Sequence, residues 1–289
     1  MNALSETLRR YGPSTVARQI RTEALDGCAL TVRVLREAVS DAAAPVLFIH
    51  ALAMDGDMWQ GVVDALTGEH PQIQGAMLGL DCRGHGLSGT SDGAFTSAQF
   101  AQDILAVLDA VKAPRAHLVG CSMGGTVALA FAGRYPERVA SLTVVDSTAW
   151  YGADAPEKWE QRAKTALSEG LGALIEFQKS RWFNPKFLDE QPELVRQTVA
   201  VFLANRVAAY ASSCHMLGHA DERAAMTAYK GPAAIVVGEE DYATPLAMSQ
   251  WMTDQLANAT LTVIPGARHY TPLEAPSQVA GCIAAVAQV

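Results

Sequence analysis

The chain has 289 residues, of which 49% are hydrophobic and 18% are charged, and its 22 basic and 30 acidic side chains give a formal net charge of −8. An acidic balance without a basic cluster argues against a nucleic-acid partner, and the hydrophobic fraction is too high for a disordered chain. No segment approaches the roughly 20 apolar residues of a membrane span. The composition therefore predicts a globular protein with a sizeable core and neither nucleic acid nor membrane as a partner.

The cysteines and the N-terminus indicate the compartment. The five cysteines, at positions 28, 82, 121, 214 and 282, are widely spaced and include no Cys-x-x-Cys pair, which argues against a disulfide framework or a zinc knuckle. Residues 1–21 lack an apolar block followed by a small-residue cleavage site, so we interpret them as a short helix leading into the first strand. We expect a cytoplasmic protein.

Short apolar runs alternate with longer amphipathic runs along most of the chain. Residues 19–24 and 29–36 alternate in polarity on either side of Leu25-Asp26-Gly27 and predict a β-hairpin. A helical pattern covers residues 100–111, with Thr96 and Gln99 placed as a capping box. Strands that alternate with helices predict an α/β fold with a mostly parallel sheet covered on both faces. The remaining predicted strands are residues 46–50, 76–80, 116–120, 141–146, 233–238 and 261–264.

One long segment interrupts this alternation. Residues 147–229 contain helical patterns and three of the five tryptophans, at positions 150, 159 and 182, but no convincing strand. We interpret this segment as a helical cap inserted above the sheet and call it the cap. The predicted organisation is a core from residues 1–146, the cap at residues 147–229, and the rest of the core at residues 230–289.

The strongest chemical signal is Gly120-Cys121-Ser122-Met123-Gly124, which directly follows a predicted strand and directly precedes a helical run. A Gly-x-Ser-x-Gly match alone is weak, but this context is that of a nucleophile elbow, the tight strand-to-helix turn that exposes a serine hydroxyl. The helix N-terminus beneath it also favours the negative charge that develops in acyl transfer. Ser122 is therefore the candidate nucleophile, and a turn that merely packs is the alternative.

Two further strand ends carry the partners that a serine nucleophile needs. His269 follows the last predicted strand, and Asp241 follows residues 233–238, so the chain order is Ser, acid, His. A buried carboxylate would hold the imidazole tautomer while the ring accepts the serine proton. Other carboxylates compete with Asp241 for this position: Glu239, Glu240 and Asp146. We favour Asp241 because its loop also carries the Thr-Pro that would start the next helix.

The oxyanion donors are predicted from backbone amides. Residues 50–53 lie at the end of the strand predicted at 46–50, where a backbone amide can face the reacting carbonyl. The residue after the nucleophile supplies the second amide. We choose Leu52 and Met123. A plain strand–helix connection is the alternative at Leu52.

Two motif matches are rejected. Residues 84–89 read Gly-His-Gly-Leu-Ser-Gly and match the dinucleotide-binding fingerprint, but no helix opens on them, and Asp103 and Asp109 lie inside a predicted helix. His215 and His219 have the spacing of a metal pair but lack the glutamate of a zincin motif. We expect neither a cofactor nor a metal.

The combined motifs resemble the α/β-hydrolase superfamily over nearly the whole chain after about residue 19. They are residues 120–125, Asp81-Cys-Arg-Gly-His-Gly-Leu-Ser, the loop at residues 238–245, and Gly-Ala-Arg-His-Tyr with Glu274-Ala-Pro276. Within the superfamily the sequence is most similar to 3-oxoadipate enol-lactonases, through residues 52–59, 181–187 and 243–245. The resemblance implies a triad of Ser122, Asp241 and His269. The superfamily usually has His-Gly at the end of the oxyanion strand, and this sequence has His50-Ala51. Enol-lactonases also depart from His-Gly, so the difference is compatible with the resemblance.

The implied reaction is hydrolysis of a small carboxylic ester or lactone through an acyl-enzyme, most like that of 3-oxoadipate enol-lactonase. The same triad and cap also serve carbon–carbon bond hydrolases of ring-cleavage products, carboxylesterases, methyl-ester hydrolases and amidases. A small-molecule receptor with vestigial turnover is the alternative of another class. Dehalogenases and epoxide hydrolases of this fold are disfavoured because their elbow nucleophile is aspartate.

A substrate that carries a carboxylate would need a cation in the cap. We choose Arg181, beside Trp182, for this role, and expect Trp182 and Trp150 to line the entrance. Packing of the cap onto the core is the alternative role for both tryptophans. The sequence does not determine the oligomeric state.

Overall fold

The structure is a computed structural model that describes residues 18–287. The helix predicted for residues 1–21 lies outside these residues, except that positions 19–21 belong to the first strand. None of the helices in this part of the chain is long and apolar enough to cross a membrane.

Eight strands form one mixed sheet in the order β1-β2-β4-β3-β5-β6-β7-β8. The β1–β2 hairpin is antiparallel, β2 pairs antiparallel with β4, and all other pairs are parallel. The predicted hairpin and the mostly parallel sheet are confirmed, with strand ends that differ by at most two residues. The strands are β1 (Gln19–Glu23), β2 (Ala29–Arg36), β3 (Val46–Ile49), β4 (Met77–Asp81), β5 (Ala116–Cys121), β6 (Val139–Val145), β7 (Ala233–Gly238) and β8 (Ala259–Ile264).

Helices connect the parallel strands and cover the sheet. Every residue of β3, β4 and β5 is buried, as expected for central parallel strands with helices on both faces. The helices are α1 (Gln60–Glu69), α2 (Ser97–Ala110), α3 (Met123–Arg134), α4 (Ala155–Glu169), α5 (Ile175–Trp182), α6 (Pro185–Glu190), α7 (Pro192–Leu203), α8 (Val207–His219), α9 (Leu246–Gln255), α10 (Thr271–Glu274) and α11 (Pro276–Val286).

The predicted capping box at the start of α2 is confirmed. The Thr96 hydroxyl accepts a hydrogen bond from the Gln99 amide at 3.2 Å, and the Gln99 side chain accepts one from the Thr96 amide at 2.9 Å. Two backbone donors at the helix start are thereby satisfied.

The cap consists of helices, as predicted. Helices α4 to α8 lie between β6 and β7, and the described part of the cap contains only one isolated bridge, between Trp150 and Asp221. Helix α4 packs along α8. The division of the chain into core and cap domains stays a prediction.

Candidate active site

Ser122 occupies a tight turn between β5 and α3. Its backbone has φ 53° and ψ −116°, outside the regions that non-glycine residues ordinarily adopt. A Cβ atom on Gly120 or Gly124 would overlap backbone atoms, at Gly124 and at Ile49 respectively, so the flanking glycines permit the close approach of β3, β5 and α3. The serine side chain therefore lies at the carboxyl end of the sheet, directly before a helix N-terminus.

A continuous line of hydrogen bonds joins Ser122 to a histidine and a carboxylate. The Ser122 Oγ lies 2.9 Å from His269 Nε2, and His269 Nδ1 lies 2.8 Å from Asp241 Oδ2. All three residues are buried, at 7%, 6% and 3% relative exposure. The structure thus brings together the three side chains predicted as nucleophile, base and acid.

Asp241 is held as an anion by its own loop. Its carboxylate accepts hydrogen bonds from the amides of Ala243 and Thr244, at 2.7 and 2.9 Å, and from the Thr244 hydroxyl at 2.7 Å. Burial alone would raise the pKa of Asp241, but the adjacent His269 ring and the Thr244 donors outweigh it and lower the pKa. A carboxylate in this state suits the orientation of the histidine ring.

The three competing carboxylates lie elsewhere. Asp146 is fully buried and accepts hydrogen bonds from the Gly238 amide and from the amide and hydroxyl of Thr271, at 2.7 to 3.0 Å. Glu239 accepts from the Gly266 amide, and Glu240 pairs with Arg268. Asp146 therefore ties the His269 loop to β7 rather than contacting the imidazole.

The two predicted oxyanion amides lie at neighbouring strand ends. Ile49, at the end of β3, is in register with Gly120 of β5, so the segments after these strands adjoin. Neither the Leu52 nor the Met123 amide donates a hydrogen bond to any other group within residues 18–287. Two amides without protein acceptors beside the serine are available to a substrate oxygen.

Contacts from three directions hold the loop that carries Leu52. His50 donates from Nδ1 to the Ala51 carbonyl and accepts the Cys82 amide at Nε2, and burial lowers the pKa of His50 to about 4, so the ring stays neutral. Asn205 of the cap donates to the Ala53 carbonyl at 2.8 Å. Asp81 accepts the Gly56 amide, also at 2.8 Å. The loop is therefore fixed before substrate arrives.

A cavity of about 680 Å³ opens onto Ser122 and His269 beneath the cap. We call it the active-site cavity. A larger groove, of about 950 Å³, lies at the opposite edge of the sheet beside Pro45 and Ala140, and none of the three catalytic candidates lines it. The active-site cavity lies at the carboxyl ends of the strands, where ligands bind in open parallel sheets. Its other lining residues are Leu52, Tyr151, Ala155, Lys158, Trp159, Gln161, Arg162, Thr165, Leu174, Phe177, Gln178, Arg181, Trp182, Tyr242, Ala243, Thr244, Met248 and Tyr270.

Of the three cap residues predicted to contact the substrate or line the entrance, two line the active-site cavity. Arg181 and Trp182 line the active-site cavity, although Trp182 is only 3% exposed and stacks on Tyr270 at 5.1 Å between ring centroids. Trp150 does not line the cavity, contrary to the prediction. Its ring instead lies 3.7 Å from the Arg223 guanidinium, on another part of the cap, because its backbone pairs there with Asp221.

Two polar residues that line the active-site cavity, Tyr151 and Arg162, were not predicted from the sequence. The Tyr151 hydroxyl is buried, lies near Ser122 and Thr126, and has no hydrogen-bond partner of normal geometry among the described residues. Arg162 lies on the face of α4 that lines the cavity, with Lys158, Trp159 and Thr165. The 3.6-residue period of α4 could have grouped these positions on one face, but not oriented that face toward Ser122.

The two rejected motifs keep ordinary structures. Residues 84–89 form a closed loop in which the Gly84 amide donates to the Gly89 carbonyl, and the next helix begins only at Ser97. The rings of His215 and His219 lie 4.1 Å apart on α8, tilted by 31°, and His219 Nδ1 lies 2.9 Å from the His215 carbonyl. These contacts account for both histidines within the helix itself.

The fold and this site define a class of protein. The profile of the alpha/beta hydrolase fold matches residues 44–276, and the chain belongs to this family. The resemblance inferred from the motifs is therefore confirmed, and the protein is a hydrolase with a small-molecule substrate.

Individual proteins that are similar to this chain include enol-lactonases. The chain is 28% identical to 3-oxoadipate enol-lactonase 2 of Acinetobacter baylyi over 241 residues, which cover 83% of this chain and 87% of that one. It is similar to the crystal structure of the enol-lactonase from Burkholderia xenovorans LB400, with a TM-score of 0.85, 28% identity, and coverage of 92% and 98%. A hydrolase from Pseudomonas aeruginosa PA01 has a TM-score of 0.86 at 25% identity, with coverage of 95% and 100%.

Proposed function

We propose that the protein is a serine hydrolase of small carboxylic esters or lactones, with a substrate of the 3-oxoadipate enol-lactone type. The observation that carries the proposal is the unbroken line of hydrogen bonds from Ser122 Oγ through His269 to Asp241 at the floor of the active-site cavity. The similarity to enol-lactonases supports the choice of substrate.

In the proposed mechanism, Ser122 Oγ attacks the substrate carbonyl carbon while His269 Nε2 accepts the hydroxyl proton. The carbonyl oxygen becomes an oxyanion that accepts hydrogen bonds from the Leu52 and Met123 amides. Collapse breaks the bond to the leaving oxygen, which takes the proton from His269. Water then attacks the acyl-enzyme with His269 again as base, releasing the acid and restoring the serine hydroxyl.

Replacement of the nucleophile tests this mechanism. We expect Ser122→Ala to lower kcat at least about 10⁴-fold on p-nitrophenyl hexanoate and on an enol-lactone, because the acyl-enzyme of the proposed mechanism forms on the Ser122 hydroxyl. The measurement is steady-state hydrolysis, with circular dichroism as a check of folding. Ser147→Ala is the matched control, because it removes a neighbouring buried hydroxyl that donates to the Ser122 carbonyl and takes no part in the proposed reaction. A folded Ser122→Ala variant with near-normal turnover would rule out the mechanism.

A substrate panel separates the lactonase from its rivals on the same fold. We expect the enol-lactone to exceed both aryl esters and vinylogous diketones in kcat/KM. Preference for the diketone would favour a carbon–carbon bond hydrolase. A single slow turnover with a large ligand-induced rise in Tm would favour a receptor.

A further inference from the structure

The active-site cavity is cationic although the protein as a whole is acidic. Three basic residues line it, Lys158, Arg162 and Arg181, and no aspartate or glutamate is among its described lining residues. The formal net charge of the chain is −8, so this excess of positive charge is local. A concave surface lined by one sign of charge concentrates ligands of the opposite sign.

Two of these cations already have partners within the protein. The Lys158 ammonium pairs with Asp154 at 2.6 Å on the exposed surface of α4. The Arg181 guanidinium donates to the Tyr242 carbonyl and lies over the Phe177 ring at 5.1 Å. Their positions are explained without a ligand.

Arg162 has no such partner. It forms neither an ion pair nor a hydrogen bond of normal geometry with any residue in the described range 18–287. Its guanidinium lies over two aromatic rings, 4.4 Å from the Trp159 centroid and 5.5 Å from that of Phe177. The aromatic faces hold the cation in place, and neither ring contact uses its N–H donors.

The surroundings of Arg162 also favour an anion. Burial, together with the charge of Arg162, lowers the pKa of Arg181, so the two guanidiniums repel one another across the same cavity. The buried Tyr210 hydroxyl lies close to Arg162 and forms no hydrogen bond of normal geometry with any described residue. A carboxylate here would relieve the repulsion between the cations and accept from the unused donors.

We propose that Arg162 forms the anion subsite of the active-site cavity and binds a carboxylate on the non-reacting end of the substrate. The guanidinium presents parallel N–H donors that match the two oxygens of a carboxylate. The inference rests on the proposed ester or lactone hydrolysis at Ser122 and assigns the side chain that binds the carboxylate of such a substrate. It also replaces Arg181, the cation chosen from the sequence.

Two esters that differ only at the far end of the acyl chain test the subsite. Mono-p-nitrophenyl adipate and p-nitrophenyl hexanoate share the leaving group and the six-carbon acyl chain, but one ends in a carboxylate and the other in a methyl group. The measured quantity is the ratio of their kcat/KM values. We expect Arg162→Gln to lower this ratio at least about 10-fold, mainly through KM for the adipate ester, because a charge-assisted hydrogen bond is lost.

Matched variants distinguish a specific contact from a general loss of charge. Lys164→Gln removes one positive charge from the same helix outside the active-site cavity, and we expect it to change the ratio less than about threefold. Arg162→Lys keeps the charge without the fork of donors and should retain part of the preference. We expect a smaller effect from Arg181→Gln than from Arg162→Gln.

The outcomes separate this inference from the proposed function. If the wild-type protein hydrolyses neither ester nor an enol-lactone, the proposed function fails. If it hydrolyses the hexanoate ester and Arg162→Gln leaves the ratio unchanged, the anion subsite is wrong while the hydrolase stands. A fall of the same size in Lys164→Gln would also overturn the subsite, since it would show a non-specific effect of charge.

Discussion

Ser122 adopts a backbone conformation that costs free energy, and it is one of several such residues around the cavity. Four described non-glycine residues have positive φ, and three of them, Ala53, Ser122 and Asp146, follow strands at the carboxyl edge of the sheet. Such conformations persist only where the surrounding contacts enforce them. The contacts here are the hydrogen bond from Asn205 to Ala53, the Ser122 amide donating to Val145, and the three donors to the Asp146 carboxylate.

At the same scale, the buried Tyr151 hydroxyl predicts a local cost to the stability of the folded protein. It is buried and has no hydrogen-bond partner of normal geometry among the described residues, and burial raises its pKa to about 12, so it remains protonated. In the unfolded chain this hydroxyl hydrogen-bonds to water. We expect Tyr151→Phe to raise the free energy of unfolding by about 1 kcal/mol, measured by urea denaturation without substrate, because the desolvation cost disappears.

Tyr229→Phe is the matched control for this prediction. Its hydroxyl is satisfied by the Pro232 carbonyl at 3.0 Å, so its removal should lower the free energy of unfolding by about 1 kcal/mol. Equal losses in the two variants would show that Tyr151 has a hydrogen-bond partner in the folded protein.

At the scale of elements, the end of α5 is joined to the loop that carries His269. The His269 and Tyr270 amides donate to the carbonyls of Arg181 and Trp182, at 3.3 and 3.0 Å. The Arg268 guanidinium reaches the Ser180 carbonyl at 2.7 Å and the Phe183 carbonyl at 3.2 Å. This part of the cap is therefore joined to the loop that carries His269 by four hydrogen bonds.

Glu274 contacts both sides of the junction between the cap and the loop that carries His269, so its replacement tests that junction. Its carboxylate accepts hydrogen bonds from the Asn184 amide at 2.8 Å and the Arg268 amide at 2.6 Å. We expect Glu274→Ala to lower the free energy of unfolding by about 1–3 kcal/mol, because two partly buried amides lose their acceptor. Turnover of the hexanoate ester should also fall, since Arg268 directly precedes His269. Urea denaturation and steady-state kinetics measure the two effects.

Two further variants complete this test. Glu274→Gln keeps one acceptor oxygen and should have a smaller effect on both quantities. Glu190→Ala removes an exposed carboxylate that lies 4.0 Å from Lys186 and should change stability by less than about 0.5 kcal/mol. A Glu274→Ala variant with unchanged stability and turnover would show that the junction does not position His269.

At the scale of the whole molecule, buried histidines predict sensitivity to acid. Burial lowers the pKa of His50, His85 and His117 to about 4, 3 and 4, below the ordinary value of 6.5. The folded state then binds fewer protons than the unfolded state between about pH 6.5 and pH 4, so stability is lost as the pH falls through this window. Asp55, with its pKa raised to about 6 by burial, has the opposite sign and offsets part of the loss.

His117 isolates this effect far from Ser122. It is 8% exposed, its Nδ1 lies 2.8 Å from the Ser141 hydroxyl, and burial and the charge of Arg115 lower its pKa. The free energy of unfolding should fall in both proteins when the pH is lowered from about 7 to about 5. We expect this fall to be about 2 kcal/mol smaller in His117→Gln than in the wild type, because glutamine does not take up a proton when the chain unfolds. Urea denaturation at the two pH values measures this, and equal losses in the two proteins would contradict it.

The sequence alone predicted the α/β-hydrolase fold, the ends of the strands to within two residues and the positions of Ser122 and His269. These features depend on local patterns: runs of apolar residues, the glycines of a strand-to-helix turn, and the order of motifs along the chain. Asp241 was favoured over three other carboxylates because its loop carries Thr244-Pro245, and the family resemblance supported the choice. A loop sequence does not show which side chain turns toward the imidazole.

Tertiary structure decided which residues of the cap surround the nucleophile. Arg162 lines the active-site cavity and Trp150 does not, because α4 packs along α8 with its Trp159–Arg162 face toward the cavity. The period of a helix groups residues on one face, but the rotation of the helix about its axis is set by contacts with distant segments. The sequence alone therefore identified Ser122 as the candidate nucleophile, whereas the cationic cavity that we propose selects the substrate became visible only in the folded chain.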